Sequence, residues 1–348
     1  MINSARLVTA LTYNEGRFPP MSGFLDTLNS IIWSPALVFL CLGAGIYFTL
    51  ATKFLQIRCI PDMIKQLKDG ESSESGVSSF QSLMISLAGR VGVGNISGVA
   101  TAIAFGGPGA VFWMWAVALL GSATSFVECT LAQVYKEKDQ DTGEYRGGPA
   151  YYIEKAYKHT KAGPFMVVYG IVFAIAMILA TSYFLPAIQA NGVAAAVDNA
   201  WGISVGWSAV VLAGVLAVII VGGIKRIANF ASLVVPFMAG AYILFAIIIL
   251  FVNFSQIPEV FGMIFKSAFG AEQAFSGLLG SAIMWGVKRG IYSNEAGQGT
   301  GPQSAAAAEV SHPAKQGFVQ SFAVYIDTIF VCSATAFIII STDMYKVF

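Results

Sequence analysis

Apolar residues in this chain gather into eight long runs, at about 33–51, 79–105, 109–135, 164–190, 207–223, 227–252, 274–305 and 317–341, separated by polar connections. A helix needs roughly 20 mostly apolar residues to cross a bilayer. The pattern therefore predicts an all-α, polytopic membrane protein of about eight spans. Two runs differ from the rest. QSLMISLAGRVGVGNISGVATAIAFGG (81–107) and SGLLGSAIMWGVKRGIYSNEAGQGTG (276–301) have apolar flanks, yet glycines, charges and Asn interrupt their centres. Backbone groups freed by such a break are tolerated at membrane depth only where protein or a water-filled cavity surrounds them. Two broken helices at matching places in two halves of a chain point to a ligand site at mid-depth.

Lysine and arginine positions set the orientation. The connections after runs one, three, five and seven hold thirteen of them: Lys53, Arg58, Lys65 and Lys68, then six from Lys136 to Lys161, then Lys225 and Arg226, then Lys315. The opposite side holds Arg6, Arg17, Lys266 and Lys346. The N-terminus is thus expected outside, and an even number of spans returns the C-terminus there too. The chain reads as three parts. Residues 1–78 carry a peripheral first span, 79–252 form a five-helix unit opening on a broken helix, and 253–348 begin a second unit on the other broken helix. Five crossings invert direction, so the two units would have opposite topology. Only two helices of the second unit are present, so the chain reads as cut short relative to its own symmetry.

Composition narrows the class. Hydrophobic residues make up 56% and charged residues 11%, against about 25% charged in soluble domains. A net charge of +1, with no basic and aromatic cluster, gives no support for nucleic-acid binding. The four cysteines form no CxxC or Cys/His grouping, so neither a zinc site nor a disulfide framework is expected. The first 30 residues do not read as a cleaved signal peptide. There is no phosphate-binding loop and no nucleophile arrangement, which argues against an enzyme or an ATP-driven pump and leaves an ion gradient as the energy source.

The candidate chemistry lies in the breaks. In the first (Gly89, Arg90, Val91, Gly92, Val93, Gly94, Asn95), the half-helix that follows offers free amides to a carboxylate, while the last carbonyls before it face a cation. Gly94 and Gly98 also form a GxxxG packing pair, but packing alone leaves Arg90 and Asn95 at mid-span without a reason. The second break is expected from Trp285 to Gly299 and contains Lys288, Arg289, Ser293, Asn294 and Glu295. Asn95, Ser97 and Asn294 are candidates for an amine, Ser293 for a further substrate contact, and Trp285 for a pocket wall. Asn294 and Glu295 are equally readable as helix caps. Glu128 and Asp327, also at membrane depth, either pair with Arg90 and lock the bundle or take part in ion coupling. Gln81 and Gln189 read as interfacial.

GRVGVGNISGVATAIAFGGPGAVFWMW (89–115), RGGPAYYIE (146–154) and RGIYSNEAGQGTGP (289–302) closely resemble the alanine or glycine:cation symporter family. The similarity runs from Trp33 onward. It implies a plasma-membrane symporter that brings alanine or glycine inward with Na⁺ and uses no other cofactor. Its fold would be the LeuT-type five-plus-five inverted repeat with an extra N-terminal helix. By the same resemblance, the amides of Val93 and Gly94, beside Gly92, meet the substrate carboxylate, and the carbonyls of Ala88 and Val91 supply half of one Na⁺ site. Asn95 matches a position that ligands a second Na⁺ in some relatives. Arg90, beside it, stands where those relatives have a small residue and would repel that ion, so a single Na⁺ is expected. Family members carry about three further spans. The chain is therefore expected to be a fragment of a longer product or a shortened paralogue. The alternative function is a non-transporting paralogue or an amino-acid-binding membrane subunit. Proton coupling through Glu128, Glu295 or Asp327 is a variant of the leading reading.

Overall fold

A computed structural model describes residues 19–68, 73, 75–270, 279–342 and 345. Arg6, Arg17, Lys346 and the segment 271–278, with which the seventh run opens, lie outside them. The chain divides into two compact units, Met1–Cys41 and Leu42–Phe348. In the first, α1 covers Pro19–Ile32, and α2 (Pro35–Ala51) begins.

In the second unit, short helices α3 (Leu55–Arg58) and α4 (Ile60–Gln66) lead to α5 (Ser79–Arg90). A capping box starts α5: the Ser78 hydroxyl accepts from the Gln81 amide at 3.2 Å and the Gln81 side chain accepts from the Ser78 amide at 2.9 Å. Gln81 also donates to Asn229 Oδ1 at 2.9 Å, so its role is structural. After a break at 91–93 the chain turns by 54° into a π-helical turn, Gly94–Gly98, and then α6 (Val99–Gly106). The long α7 (Gly109–Tyr135) follows. A hairpin pairs β1 (Glu137–Lys138) with β2 (Tyr145–Arg146), and α8 covers Pro149–Tyr157. Next, α9 (Gly163–Leu179) passes through a π-helical turn, Ala180–Phe184, into α10 (Leu185–Trp201). Pro186 lacks an amide and crowds the preceding turn, which accounts for the widening there. Helices α11 (Val205–Ile220), α12 (Gly223–Val252), α13 (Ile257–Ala268), α14 (Leu279–Asn294), α15 (Thr300–Ala306) and α16 (Pro313–Val324) complete most of the chain. A π-helical stretch, Tyr325–Cys332, joins α16 to α17 (Ser333–Ser341).

Each of the eight runs holds helix. Among the described residues five helices are long and apolar enough to span, or six with the bent pair α5–α6. The other two expected spans do not reach that length among the described residues, and the start of the run at 274–305 lies outside them. α11 is only 16 residues long, and α14 carries Lys288 and Arg289 before the chain unwinds.

Helix α7 is the centre of the unit, with α14, α15 and α16 packed along it. Small residues make the approach possible. A Cβ on Gly286 would fall 2.4 Å from Ala110 O, and one on Gly290 would fall 2.7 Å from Val117 Cγ1. These glycines of α14 are packing glycines, and α14 stays helical through them. The second break is accordingly shorter than the sequence suggested. It occupies 295–299, where Glu295, Gly297 and Gly299 take left-handed φ of 54°, 85° and 87°. Lys288, Arg289 and Trp285 lie within the intact helix. Outward, α9–α12 present rows of apolar side chains such as Leu233, Phe237 and Val221, as a lipid-facing surface requires.

Candidate functional site

The two breaks meet around a cavity of about 250 Å³, well above the roughly 30 Å³ that one liquid water occupies. Ala88, Gly89, Arg90 and Gly94 line it from the first broken helix, and Tyr292, Glu295 and Thr300 from the second. The π turn between α9 and α10 closes it with Thr181, Leu185, Pro186 and Gln189.

At the first break the helical hydrogen-bond ladder is replaced by side chains. The Gly92 amide donates to Asn95 Oδ1 at 2.8 Å, and the Val93 amide donates to Gln189 Oε1 at 2.9 Å. The Asn95 amide bonds Gly92 O at 3.1 Å. In an unbroken helix these three amides would bond the carbonyls of Ala88, Gly89 and Val91. Those carbonyls are thereby released, and Ala88 and Gly89 stand at the cavity wall. The expected cation ligands Ala88 and Val91 are thus two of the carbonyls set free. Of the expected carboxylate donors, Gly94 borders the cavity, while the Val93 amide is already occupied by Gln189. Sequence reasoning placed Gln189 at an interface. Its position one turn beyond a proline at a widened turn is the signal that was available for it.

Asn95 is 1% exposed, and its Nδ2 reaches Asp327 Oδ1 at 2.5 Å and Ser293 Oγ at 3.1 Å. Ser293 Oγ donates to Asp327 Oδ2 at 2.8 Å, and Thr328 Oγ1 to the same oxygen at 2.7 Å. One buried carboxylate therefore ties the first break, α14 and the stretch after α16 together. Asn294 accepts from the Ala296 amide at 3.0 Å, a turn just after α14, while the cap position of α15 is held by Gly299. Glu295 accepts from Thr300 Oγ1 at 2.5 Å, and Glu128 from the Gly297 amide at 3.0 Å.

The charge network takes a different form from direct pairing. Arg90 is 2% exposed and donates from Nη1 to Gln320 O at 3.3 Å, while its Nε and Nη2 meet no partner. Its charge acts on Glu128, Glu295 and Asp327. Among the described residues, however, no carboxylate lies within 4.0 Å of Arg90, unlike the ion pairs of Arg146 and Lys155 in the hairpin region. Backbone and hydroxyl donors satisfy the carboxylates instead. Two other expectations move away from the site. Trp285 is not at the cavity: it stacks on Phe105 with centroids 4.8 Å apart, under the Arg289 guanidinium. Ser97 is exposed, and its hydroxyl bonds Val93 O at 2.9 Å.

A bundle of apolar helices with a cavity between two unwound segments defines a polytopic membrane protein. Residues 20–347 match the sodium:alanine symporter family, and the chain belongs to it. The family is one of transporters, not enzymes. The chain is 58% identical to YrbD of Bacillus subtilis (strain 168), provisionally named a sodium/proton-dependent alanine carrier, over 94% of this chain and 66% of YrbD. It is 47% identical to GlnT of the same organism, provisionally named a sodium/glutamine symporter, over 91% of this chain and 65% of GlnT. It is 43% identical to the sodium/alanine symporter AgcS of Methanococcus maripaludis, over 90% and 69%. The chain spans about two thirds of the length of these relatives.

Proposed function

We propose that this chain serves the Na⁺-coupled uptake of a small neutral amino acid, alanine or glycine, by alternating access across the plasma membrane. The observation that carries this reading is the cavity at the meeting point of the two breaks, bordered by carbonyls released from the helix. Of the released carbonyls, those of Ala88, at the cavity wall, and Val91, one turn of backbone further on, are assigned to Na⁺. The amide of Gly94 suits a carboxylate, and that of Val93 does so once Gln189 gives way. The names of YrbD and AgcS support alanine, and that of GlnT shows that a relative is assigned a larger amide side chain. The proposed architecture is the LeuT-type repeat, with 79–252 as the first unit, 253–348 opening the second, and the N-terminus outside. Family membership favours a transporter over an amino-acid-binding subunit.

A second reading, proton coupling, is favoured by the buried carboxylates Glu128 and Asp327 and by the sodium/proton wording of YrbD. Radiolabelled alanine uptake into liposomes holding the purified chain tests both. An inward Na⁺ gradient at fixed membrane potential is expected to drive accumulation that glycine competes away. Uptake that persists in sodium-free buffer and follows a pH gradient would replace the first reading with the second, and no gradient-driven uptake would overturn both.

A further inference from the structure

On the side of the membrane rich in lysine and arginine, the half-helices α5 and α15 lead away from the cavity and end beside each other. Their ends are joined by a parallel bridge: the Val77 amide donates to Ala307 O at 3.0 Å and the Glu309 amide to Val77 O at 2.8 Å. Gly76 permits the approach, since a Cβ there would lie 3.0 Å from Ala307 O and 3.1 Å from both Glu309 N and the Tyr145 ring.

The side chain of Glu309 adds the third and fourth attachments. Its Oε2 accepts from Ser73 Oγ at 2.9 Å, and its Oε1 accepts from Tyr145 Oη at 3.3 Å. Tyr145 belongs to β2, and its amide donates to Ser75 O at 2.9 Å. Lys136, at the end of α7, sits 3.9 Å from the Tyr145 ring centroid and donates to Ala308 O at 2.7 Å. One half-buried carboxylate therefore gathers the segment before α5, the hairpin and the segment after α15. Hydrogen bonds of this kind exchange readily with water, unlike the apolar packing around α7, so this is where the bundle can part at low cost.

We propose that Glu309 is a positioning residue of an inner gate: by holding Ser73 and Tyr145 it keeps the cavity closed to the cytoplasm, and its release opens the exit for the substrate. The proposal rests on the transport reading given above. The ion pairs of Glu137 with Arg146 and Lys155 brace the hairpin itself, and their partners are not on α5 or α15. They are not part of the gate.

The test is side-specific labelling. A Cys reporter, Ala88→Cys, is placed in the cavity wall of a chain whose Cys41, Cys59, Cys129 and Cys332 are replaced by Ala. A membrane-impermeant maleimide is then applied to inside-out and right-side-out vesicles. Glu309→Ala, which removes the hydrogen bonds from both Ser73 and Tyr145, is expected to speed labelling about ten-fold in inside-out vesicles, with no change from the other side. Tyr145→Phe is expected to act in the same direction by about three-fold, and Asp141→Asn, at the exposed hairpin turn, to leave the rate as it was. Unchanged labelling in both Glu309→Ala and Tyr145→Phe overturns the gate, as does an equal rise from both sides, which marks a loosened fold. The assay contains no amino acid and no gradient, so a failure of alanine uptake is read separately.

Discussion

The amide of Gly92 donates to the side-chain oxygen of Asn95 at 2.8 Å, and while it does so the chain cannot complete a helical turn there. The other end of the same amide group reaches Asp327 at 2.5 Å. Asn95 thus both breaks one helix and fastens the break to another.

Replacing Asn95 by Ala strands the Gly92 amide and removes one donor from a buried carboxylate. The expected cost is about 1–3 kcal/mol of stability, read as a lower midpoint of thermal unfolding in detergent, together with at least a ten-fold fall in Na⁺-driven uptake. Asn95→Asp is expected to be worse than Ala, because it sets a second carboxylate against Asp327. A fully active Asn95→Asp protein would contradict the arrangement.

Gln189 occupies the Val93 amide that a ligand carboxylate would need. Gln189→Glu puts a permanent anion there. The expected outcome is a rise of at least ten-fold in KM for alanine, measured in proteoliposomes, with Vmax less affected. Gln189→Ala is expected to change KM by much less, since it leaves the amide open to the substrate. Equal KM values in the two variants would remove Gln189 from the binding step.

Arg90 and Gly301 are matched in size. A Cβ on Gly301 would lie 2.7 Å from Arg90 Nη2, so Gly301→Ala is expected to cost about 1–3 kcal/mol through overpacking. In the Arg90→Ala background most of that cost should vanish, a coupling that a double-mutant cycle on thermal stability measures. The same Arg90→Ala protein tests ion stoichiometry. Reversal-potential measurements should give one Na⁺ per amino acid in the parent chain, and a ratio of two there would contradict the repulsion assigned to Arg90.

Lys136 makes the inner gate sensitive to pH. Its partial burial lowers its pKa from the usual 10.5 to about 8, against an opposing pull from Glu309. The other titratable group against it is the Tyr145 phenol. With the gate open and Lys136 in water, the open state binds more protons between those two values. The closed state is then favoured as pH rises through 8 toward 10.5, and that gain is lost as pH falls back through 8. Labelling of Ala88→Cys from the inner side, corrected for thiolate content, is expected to slow as pH rises from about 8 toward 10.5, the interval these pKa values bracket. Lys136→Met should flatten the profile, and a parent protein with a flat profile would refute the linkage.

How much of this the sequence disclosed depended on what each residue had to do locally. The run 109–135 became α7 with the same ends, because a helix surrounded by other helices is apolar throughout and stops at polar residues. The first break was legible because Asn95 and Arg90 have no place in a spanning helix. The second was misplaced toward Trp285, because a glycine used for close packing, such as Gly286, looks the same in sequence as one used for a left-handed turn, such as Gly297. The cavity wall formed by Gln189 and Thr181 was not legible at all. Nothing along the chain shows which face of α10 turns toward the breaks. Direct Arg90 pairs were one of two readings drawn from charge, whereas the carboxylates have backbone amides and hydroxyls nearer at hand.

The π turn at Ala180–Phe184 bears on which face of α10 meets the breaks. A π turn takes up about one more residue than an α turn, and each residue advances a helix by roughly 100°. If the turn relaxed to ordinary α geometry, everything after it would rotate by about that angle, and Gln189 would leave the cavity wall to a neighbour in the sequence. The wide turn is thus a phase setting for α10. A one-residue deletion between 180 and 184 would leave α9 seated as before and aim the wrong face of α10 at the two breaks.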